Sequence, residues 1–412
     1  MDEVCMFNPT HRFSLETQRG PSGEVTTQWD RSFPRGIHHV SIWGETVYVG
    51  TESDIVAIET SGTERWRFST NTPHGGNHSS PAVVDGTVYV GSDNNYVYAL
   101  DAETGDCDWR FQTNRWVRSS PAVVDGTVYV GGTDGYVYAL SASRGTEQWK
   151  FNADAPLNSS PAVVNDIVYI GSNDNNMYAL DAQTGALKWD FKTDGNIESS
   201  SPTVIDGTVY IGSHDKHVYA LDATTGSVKW RYQTGGHVST SPAVVDGTVY
   251  LGSDDNYMYA LDAETGNCDW RFQTEGRVNT SPMIASDEVY VGTSMFKNPV
   301  NNLSNPESFL YSIDADTGNG NWRFKMNGSV VSPVVADGVI FVSSVNYTTD
   351  EYKLYALEGK EVSMNNIETH GKEDCLACGS DLTIYDNVNF CPECGTEVSN
   401  NDNSDTRIYD PK

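Results

Sequence analysis

The sequence predicts an all-β chain, an eight-bladed β-propeller followed by a small zinc ribbon. Three observations lead there. A self-similar unit recurs about every 40 residues, turn signals cut each unit into four short strands, and two Cys-x-x-Cys pairs follow the last unit.

The unit SSPAVVDGTVYVGSDNNYVYALDAETGDCDWRFQT begins at Ser79 and returns with small changes at Ser119, Ser159, Ser200, Thr240 and Thr280. Its prolines, from Pro81 and Pro121 to Pro282, lie 40 or 41 residues apart. That period, made of short β segments, is the signature of propeller blades. SPAVV ends at Asp-Gly, a hairpin turn pair. TVYVGS alternates β-branched and aromatic residues and ends in a polar turn. YVYALD runs into AETG, whose Gly suits a positive φ, and WRFQT is the fourth strand. Proline would break a central ladder but fits an edge, so the first strand should line the central channel.

Counting sets the ring size. The second strand appears at Val47, Val88, Val128, Val168, Val209, Val249 and Val289, with Ile340 as a diverged eighth. The tryptophan strand also appears eight times, from Trp29 to Trp322, but out of phase: Trp29 precedes the first unit, and the last unit ends at Leu357 without a tryptophan. One blade is therefore split between the termini, and the strand at Trp29 should complete the blade containing Ile340 and close the ring. The expected division is a tail over 1–26, the propeller over 27–359, a linker over 360–370, a zinc ribbon over 371–398 and a disordered tail over 399–412.

The segments ALDAETGDCDW, ALDAQTGALKW and ALDATTGSVKW, starting at Ala99, Ala179 and Ala220, resemble the tryptophan-docking motif of the pyrroloquinoline-quinone (PQQ) repeat family. That family contains quinoprotein alcohol dehydrogenases and non-enzymatic BamB-like proteins. The resemblance covers about Thr27 to Gly359 and implies that each Trp packs between neighbouring blades. It specifies fold far better than function.

Beyond the repeats, Cys375 and Cys378 form one knuckle and Cys391 and Cys394 another, each followed by Gly, with 12 residues between them. Four thiolates with short bites suit one tetrahedral zinc, and a four-cysteine site is closed and structural. This module resembles short archaeal and bacterial zinc ribbons and is expected to dock protein. Cys5, Cys107 and Cys268 show no disulfide framework.

The formal charge of −30, from 56 acidic and 26 basic residues, is spread through the turns of every repeat. In molar salt the Debye length falls to about 3 Å and self-repulsion fades, so the pattern reads as the surface of a haloarchaeal type of protein. Basic stripes for phosphate are missing, which argues against nucleic acid. No stretch approaches 18 consecutive apolar residues and the N-terminal segment shows no apolar signal core, so the expected location is the cytoplasm. The propeller is expected to be monomeric.

Chemistry is harder to find. The family's quinone enzymes hold PQQ beside calcium, capped by a disulfide between adjacent cysteines. No two cysteines are adjacent here, the large active-site insertions are missing, and no catalytic carboxylate can be transferred. PQQ is therefore not expected, and a PQQ-dependent oxidoreductase is the alternative reading. The repeated Asp101, Asp181, Asp222, Asp262 and Asp314 are read as turn caps and not as calcium ligands.

Function should lie where the copies differ. The loops before SSP and between the second and third strands share one face. They hold His38, His39, His74, His78, His214, His217 and His237, together with Arg115, Trp116, Arg118 and Arg277. Two of them, Ser294–Ser308 and Ser344–Tyr352, are lengthened. The residues expected at the channel mouth are His78, Trp116, Arg118, Asn158, Glu198, His237 and Arg277. The reading is a non-catalytic scaffold whose face binds a protein or small ligand, with the ribbon docking elsewhere.

Overall fold

The structure, a computed structural model, describes residues 20–21, 24–72, 76–294, 307–346 and 348–359. Among them every regular element is a β-strand, and the strands form eight antiparallel sheets. The chain is an eight-bladed β-propeller. Blade 1 is Ile37–Trp43, Thr46–Thr51, Asp54–Glu59 and Glu64–Ser69. Blades 2 to 6 repeat that order from Ala82, Ala122, Ala162, Thr203 and Ala243. Each first strand thus begins just after its proline, at the sheet edge where a missing N–H does no harm. In blade 7 two short pieces, Arg277–Val278 and Met283–Ala285, both pair with Glu288–Ser294.

Burial explains the residue choice along a blade. The second strand of blade 3, Thr127–Gly131, is buried throughout, because blades pack against both of its faces. The fourth strand, Glu147–Asn152, alternates, burying Trp149 and exposing Lys150. The Asp-Gly turns hold both residues at positive φ, 48° and 71° at Asp125 and Gly126, which suits the twist of a tight hairpin. Asp101 Oδ1 accepts the N–H groups of Glu103 and Thr104 at 2.9 and 2.8 Å, and Asp181, Asp222, Asp262 and Asp314 cap their turns in the same way.

Blades are joined by two repeated contacts. On the outside, the Trp66 indole N–H donates to the Ala102 carbonyl of blade 2 at 2.9 Å, and the Tyr48 hydroxyl donates to the same oxygen at 3.3 Å. The indole lies on Gly105, φ 76°, where an added Cβ would stand 2.7 Å from the ring. Any side chain there would push the blades apart. On the inside, the two serines of SSP divide the work. Ser119 Oγ accepts the Gly131 N–H within blade 3 at 3.0 Å, whereas the Ser120 N–H donates to Ser160 Oγ of blade 4 at 2.9 Å. The second bond recurs from Ser80 through Ser241, stitching the inner strands of blades 2 to 7.

Blade 8 closes the ring as the sequence predicts. Its strands are Ser329–Ala336, Val339–Asn346 and Glu351–Gly359, and its outer strand is Val25–Phe33 from the other end of the chain. Trp29 lies opposite Ala356 and Arg31 opposite Leu354. The Trp29 indole then donates to Thr60 of blade 1 at 2.9 Å, so one strand belongs to blade 8 and grips blade 1. Two expectations are corrected. Ser344–Tyr352 is not a lengthened loop: Ser344, Val345 and Asn346 pair with Lys353, Tyr352 and Glu351, so both strands simply run longer. His38 and His39 are not loop residues but lie within the first strand of blade 1. The expected loop over Ser294–Ser308 and the ribbon cysteines fall outside the described residues, apart from that loop's ends.

Phe33 is 4% exposed and packs in the core shared by blades 8 and 1. Phe33→Ala should therefore cost about 3–5 kcal/mol, and deletion of residues 1–35 should lower the unfolding midpoint of the whole ring. An unchanged midpoint for the truncated chain would contradict closure by this strand.

Candidate functional site

The face expected to carry function is built around a repeated latch. Val117, Leu157, Ile197, Val238 and Val278 each pack against a second-strand glycine, such as Gly91 under Val117 and Gly131 under Leu157. A Cβ on Gly91 would lie 2.5 Å from Val117, so only glycine admits the latch. The residue before the latch offers its carbonyl to the next turn: Trp116 to Thr133 N–H at 2.8 Å and His237 to Asp254 N–H at 2.9 Å. The residue after it leads into the inner strand.

This geometry sorts the expected site residues into two tiers. Trp116, His237 and Arg277 precede their latches and are exposed, Trp116 by 43%. Arg118 and Asn158 follow theirs, next to the inner strands, and with His78 are half-buried. Glu198 belongs to the one segment with an extra residue between latch and serines, and it is also half-buried. The seven residues therefore share a face but do not form one contiguous site.

One group converges across blades 1 to 3. Arg118 holds Asp93 with two charge-assisted bonds, Nε to Oδ1 at 3.1 Å and Nη2 to Oδ2 at 2.9 Å, and the Asp93 side chain is fully buried. The guanidinium also lies 4.5 Å from the Trp116 ring centroid, so Asp93 fixes Arg118 and Arg118 braces the indole. His78 Nε2 is 3.6 Å from Asp93 Oδ2, and the His78 ring lies 3.8 Å from that of His38. The strand register shows why histidine appears here. Ser41 faces Tyr48 in blade 1 as Ala82 faces Tyr89 in blade 2, so His38-His39 occupies the place of Ser79-Ser80. Burial drives His38 and His78 down to about 3 and His39 to about 4. His78 further depresses His38, and Arg118 further depresses His78. All three are neutral imidazoles at physiological pH.

A second group lies on blades 5 to 7. The His214 and His237 rings stack at 4.8 Å, His214 Nε2 meets Ser239 Oγ at 3.1 Å, and Arg277 reaches Asp254 at 3.5 Å. Burial and the neighbouring His237 lower the His214 pKa. His217 begins the third strand of blade 5 and lies against the Asp215 carbonyl at 3.1 Å. His74 lies outside the described residues.

Between blades 2 and 4 the face sinks into a cavity of about 430 Å³. Trp116, Arg118, Asn158 and Arg115 line it, as expected from the sequence, and so do Asn95, Asn114, Thr133, Pro156 and Asn173. Asn158 and Asn173 each keep a buried amide oxygen without a hydrogen-bond partner. Sequence reasoning missed Asp93 and Asn173. The available signal was positional: Asp93, Thr133, Asn173, His214 and Asp254 fill one place of the repeat with four residue types in five copies.

Fold and face together define a β-propeller built from bare repeats, regular in its blades and irregular on one rim. The chain belongs to the family described as outer membrane protein assembly factor BamB, whose sequence pattern matches residues 51–201 and 193–305. Among solved structures, BamB from Moraxella catarrhalis aligns with a TM-score of 0.66 at 17% identity, covering 82% of this chain and 98% of its own. The computationally designed Ika8 protein aligns with a TM-score of 0.67 at 14% identity, covering 79% and 98%. A europium-containing methanol dehydrogenase aligns with a TM-score of 0.65 at 12% identity, covering 81% and 93%. At these identities the likeness is one of fold. No curated protein matches significantly.

The histidine cluster gives a signed pH dependence. Burial holds the folded pKa of His39 below the ordinary imidazole value of 6.5, so its contribution to stability is complete above that pH and is lost as pH falls toward 4. At constant high salt, the unfolding midpoint of His39→Gln should therefore fall less between pH 7 and pH 4.5 than that of the unaltered chain. Equal slopes would show that His39 is not buried in its neutral form.

Proposed function

We propose that this chain is a non-catalytic binding scaffold that holds a protein partner on the rim around blades 2 to 4. The observation that carries this reading is the cavity beside Trp116, where departures from repeat symmetry coincide. An exposed indole, a braced Arg118, an exposed Arg115 and two asparagines, Asn158 and Asn173, meet in one hollow. At the place of Trp116 the other latches carry Pro156, Asn196, His237 and Arg277. Aromatic and arginine side chains in a concave patch are the usual anchors of recognition. Family membership supports the reading, since the family's description is that of an assembly factor. The lining of this cavity includes no carboxylate or cysteine, so the cavity offers recognition groups and no acid or nucleophile of those kinds. Among the described residues no helix is long and apolar enough to cross a membrane.

Cys375, Cys378, Cys391 and Cys394 complete the proposal as ligands of one structural zinc in a separate docking module. Their donor set supports it, because four thiolates fill a tetrahedral shell and leave no open position for catalysis. The acidic surface suits function in molar salt, where its self-repulsion is screened.

Affinity capture in molar KCl tests the rim. Arg118 is left in place, because removing it would strand the buried Asp93 carboxylate and cost about 3–5 kcal/mol of stability. The double variant Arg115→Ala, Trp116→Ala should keep its unfolding midpoint and lose the captured partner. Capture that survives this change but vanishes when residues 370–412 are removed would transfer recognition to the ribbon. For the metal, Cys378→Ser should lose one equivalent of zinc while the propeller's unfolding transition is unchanged. Full zinc content in that variant would place the metal elsewhere.

A further inference from the structure

The composition of the Trp116 cavity is specific enough to suggest what enters it. Four asparagines, Asn95, Asn114, Asn158 and Asn173, line it together with Trp116, Thr133 and Arg115. In a chain of formal charge −30, no acidic residue lines this hollow. A cationic ligand would meet Arg115 and Arg118 with no carboxylate facing it. A multiply charged anion would find only Arg115 uncommitted, since Arg118 is bound to Asp93. The chemistry left is that of an uncharged group rich in hydrogen bonds.

We infer that this cavity receives the pyranose ring of a neutral glycan, so that the partner is recognised through a sugar. The inference rests on the rim being the binding face. A side-chain amide donates from its nitrogen and accepts at its oxygen, which matches hydroxyls that do both. The amide oxygens of Asn158 and Asn173 are unpaired but closed off from solvent, so turning each amide toward the cavity would let a sugar O–H supply the donor it lacks. Trp116 supplies the other requirement. Arg118 lies over the ring at 4.5 Å and is itself tied to buried Asp93, so the indole is held in place while 43% of Trp116 stays exposed. A rigid aromatic plane accepts the apolar C–H face of a pyranose without having to be ordered on binding. The volume, about 430 Å³, lies within the range of small-ligand pockets, roughly 300–1,000 Å³, and admits a terminal sugar without a deep cleft. Thr133 Oγ1 already donates to the Trp116 carbonyl at 3.1 Å, which ties the indole's backbone to the turn of blade 3.

The full chain in molar KCl can be titrated with maltose, cellobiose, chitobiose and mannobiose while tryptophan fluorescence is followed, after a neutral-glycan array has shown which linkages bind. At least one neutral glycan should bind. Trp116→Ala should weaken it by about tenfold or more, and Trp116→Phe should retain most of the affinity. Asn158→Ala and Asn173→Ala should each weaken binding several-fold while leaving the unfolding midpoint in place. Failure of every glycan to bind, or equal binding by Trp116→Ala, overturns the inference. The two readings fail separately. A partner that is captured equally well after enzymatic deglycosylation, yet lost by the Arg115→Ala, Trp116→Ala variant, leaves the binding face standing and removes the sugar.

Discussion

The structure depends on the pairing of Val25–Phe33 with Glu351–Gly359. Seven blades are continuous in sequence and can form by local hairpins, but a row of such blades has two exposed ends. Only by giving its first strand to its last blade does the chain cover both. Trp29 shows the double duty: its backbone pairs in blade 8 while its indole binds Thr60 of blade 1. A strand held by hydrogen bonds on one side and by side-chain packing on the other cannot slip without breaking both.

Closure imposes geometry on everything inside. Once the ring is fixed, neighbouring inner strands must approach at a set spacing, and the second serine of each SSP bridges that gap with one backbone bond per blade. The outer spacing is set by indole on glycine, as with Trp66 on Gly105. Where a blade abandons this scheme, something else must fill the space. Blade 1 replaces both serines with His38 and His39, and the His38 ring packs on that of His78, which in turn stands beside Asp93 and its partner Arg118. The rim is irregular because the latch tolerates any residue on either side of its buried valine, leucine or isoleucine. The backbone bonds there use carbonyls and N–H groups that every residue but proline supplies.

The family and its relatives bear on this architecture more than on its use. Alignment at 17% identity with a BamB and at 12% with a methanol dehydrogenase means that one ring supports different chemistries. Where a ring is shared, use depends on the residues that decorate it. In this chain the decoration is concentrated beside Trp116 and offers hydrogen bonds and an aromatic plane without an acidic group.

Periodicity alone determined the blade number, the strand order, the split blade and the role of Asp101 and its counterparts as turn caps, because each depends on local patterns that every copy repeats. The sequence also placed the histidine-bearing loops, Trp116 and Arg118 on one face. It did not separate exposed Trp116, His237 and Arg277 from half-buried Arg118 and Asn158, since a single latch residue decides which way each neighbour turns. Nor did it disclose Asp93, whose partner Arg118 lies 25 residues away on the next blade and meets it only when two blades pack. Hairpin strands are set by neighbours in sequence, whereas a rim pocket is set by the distance between blades, and that distance exists only in the closed ring.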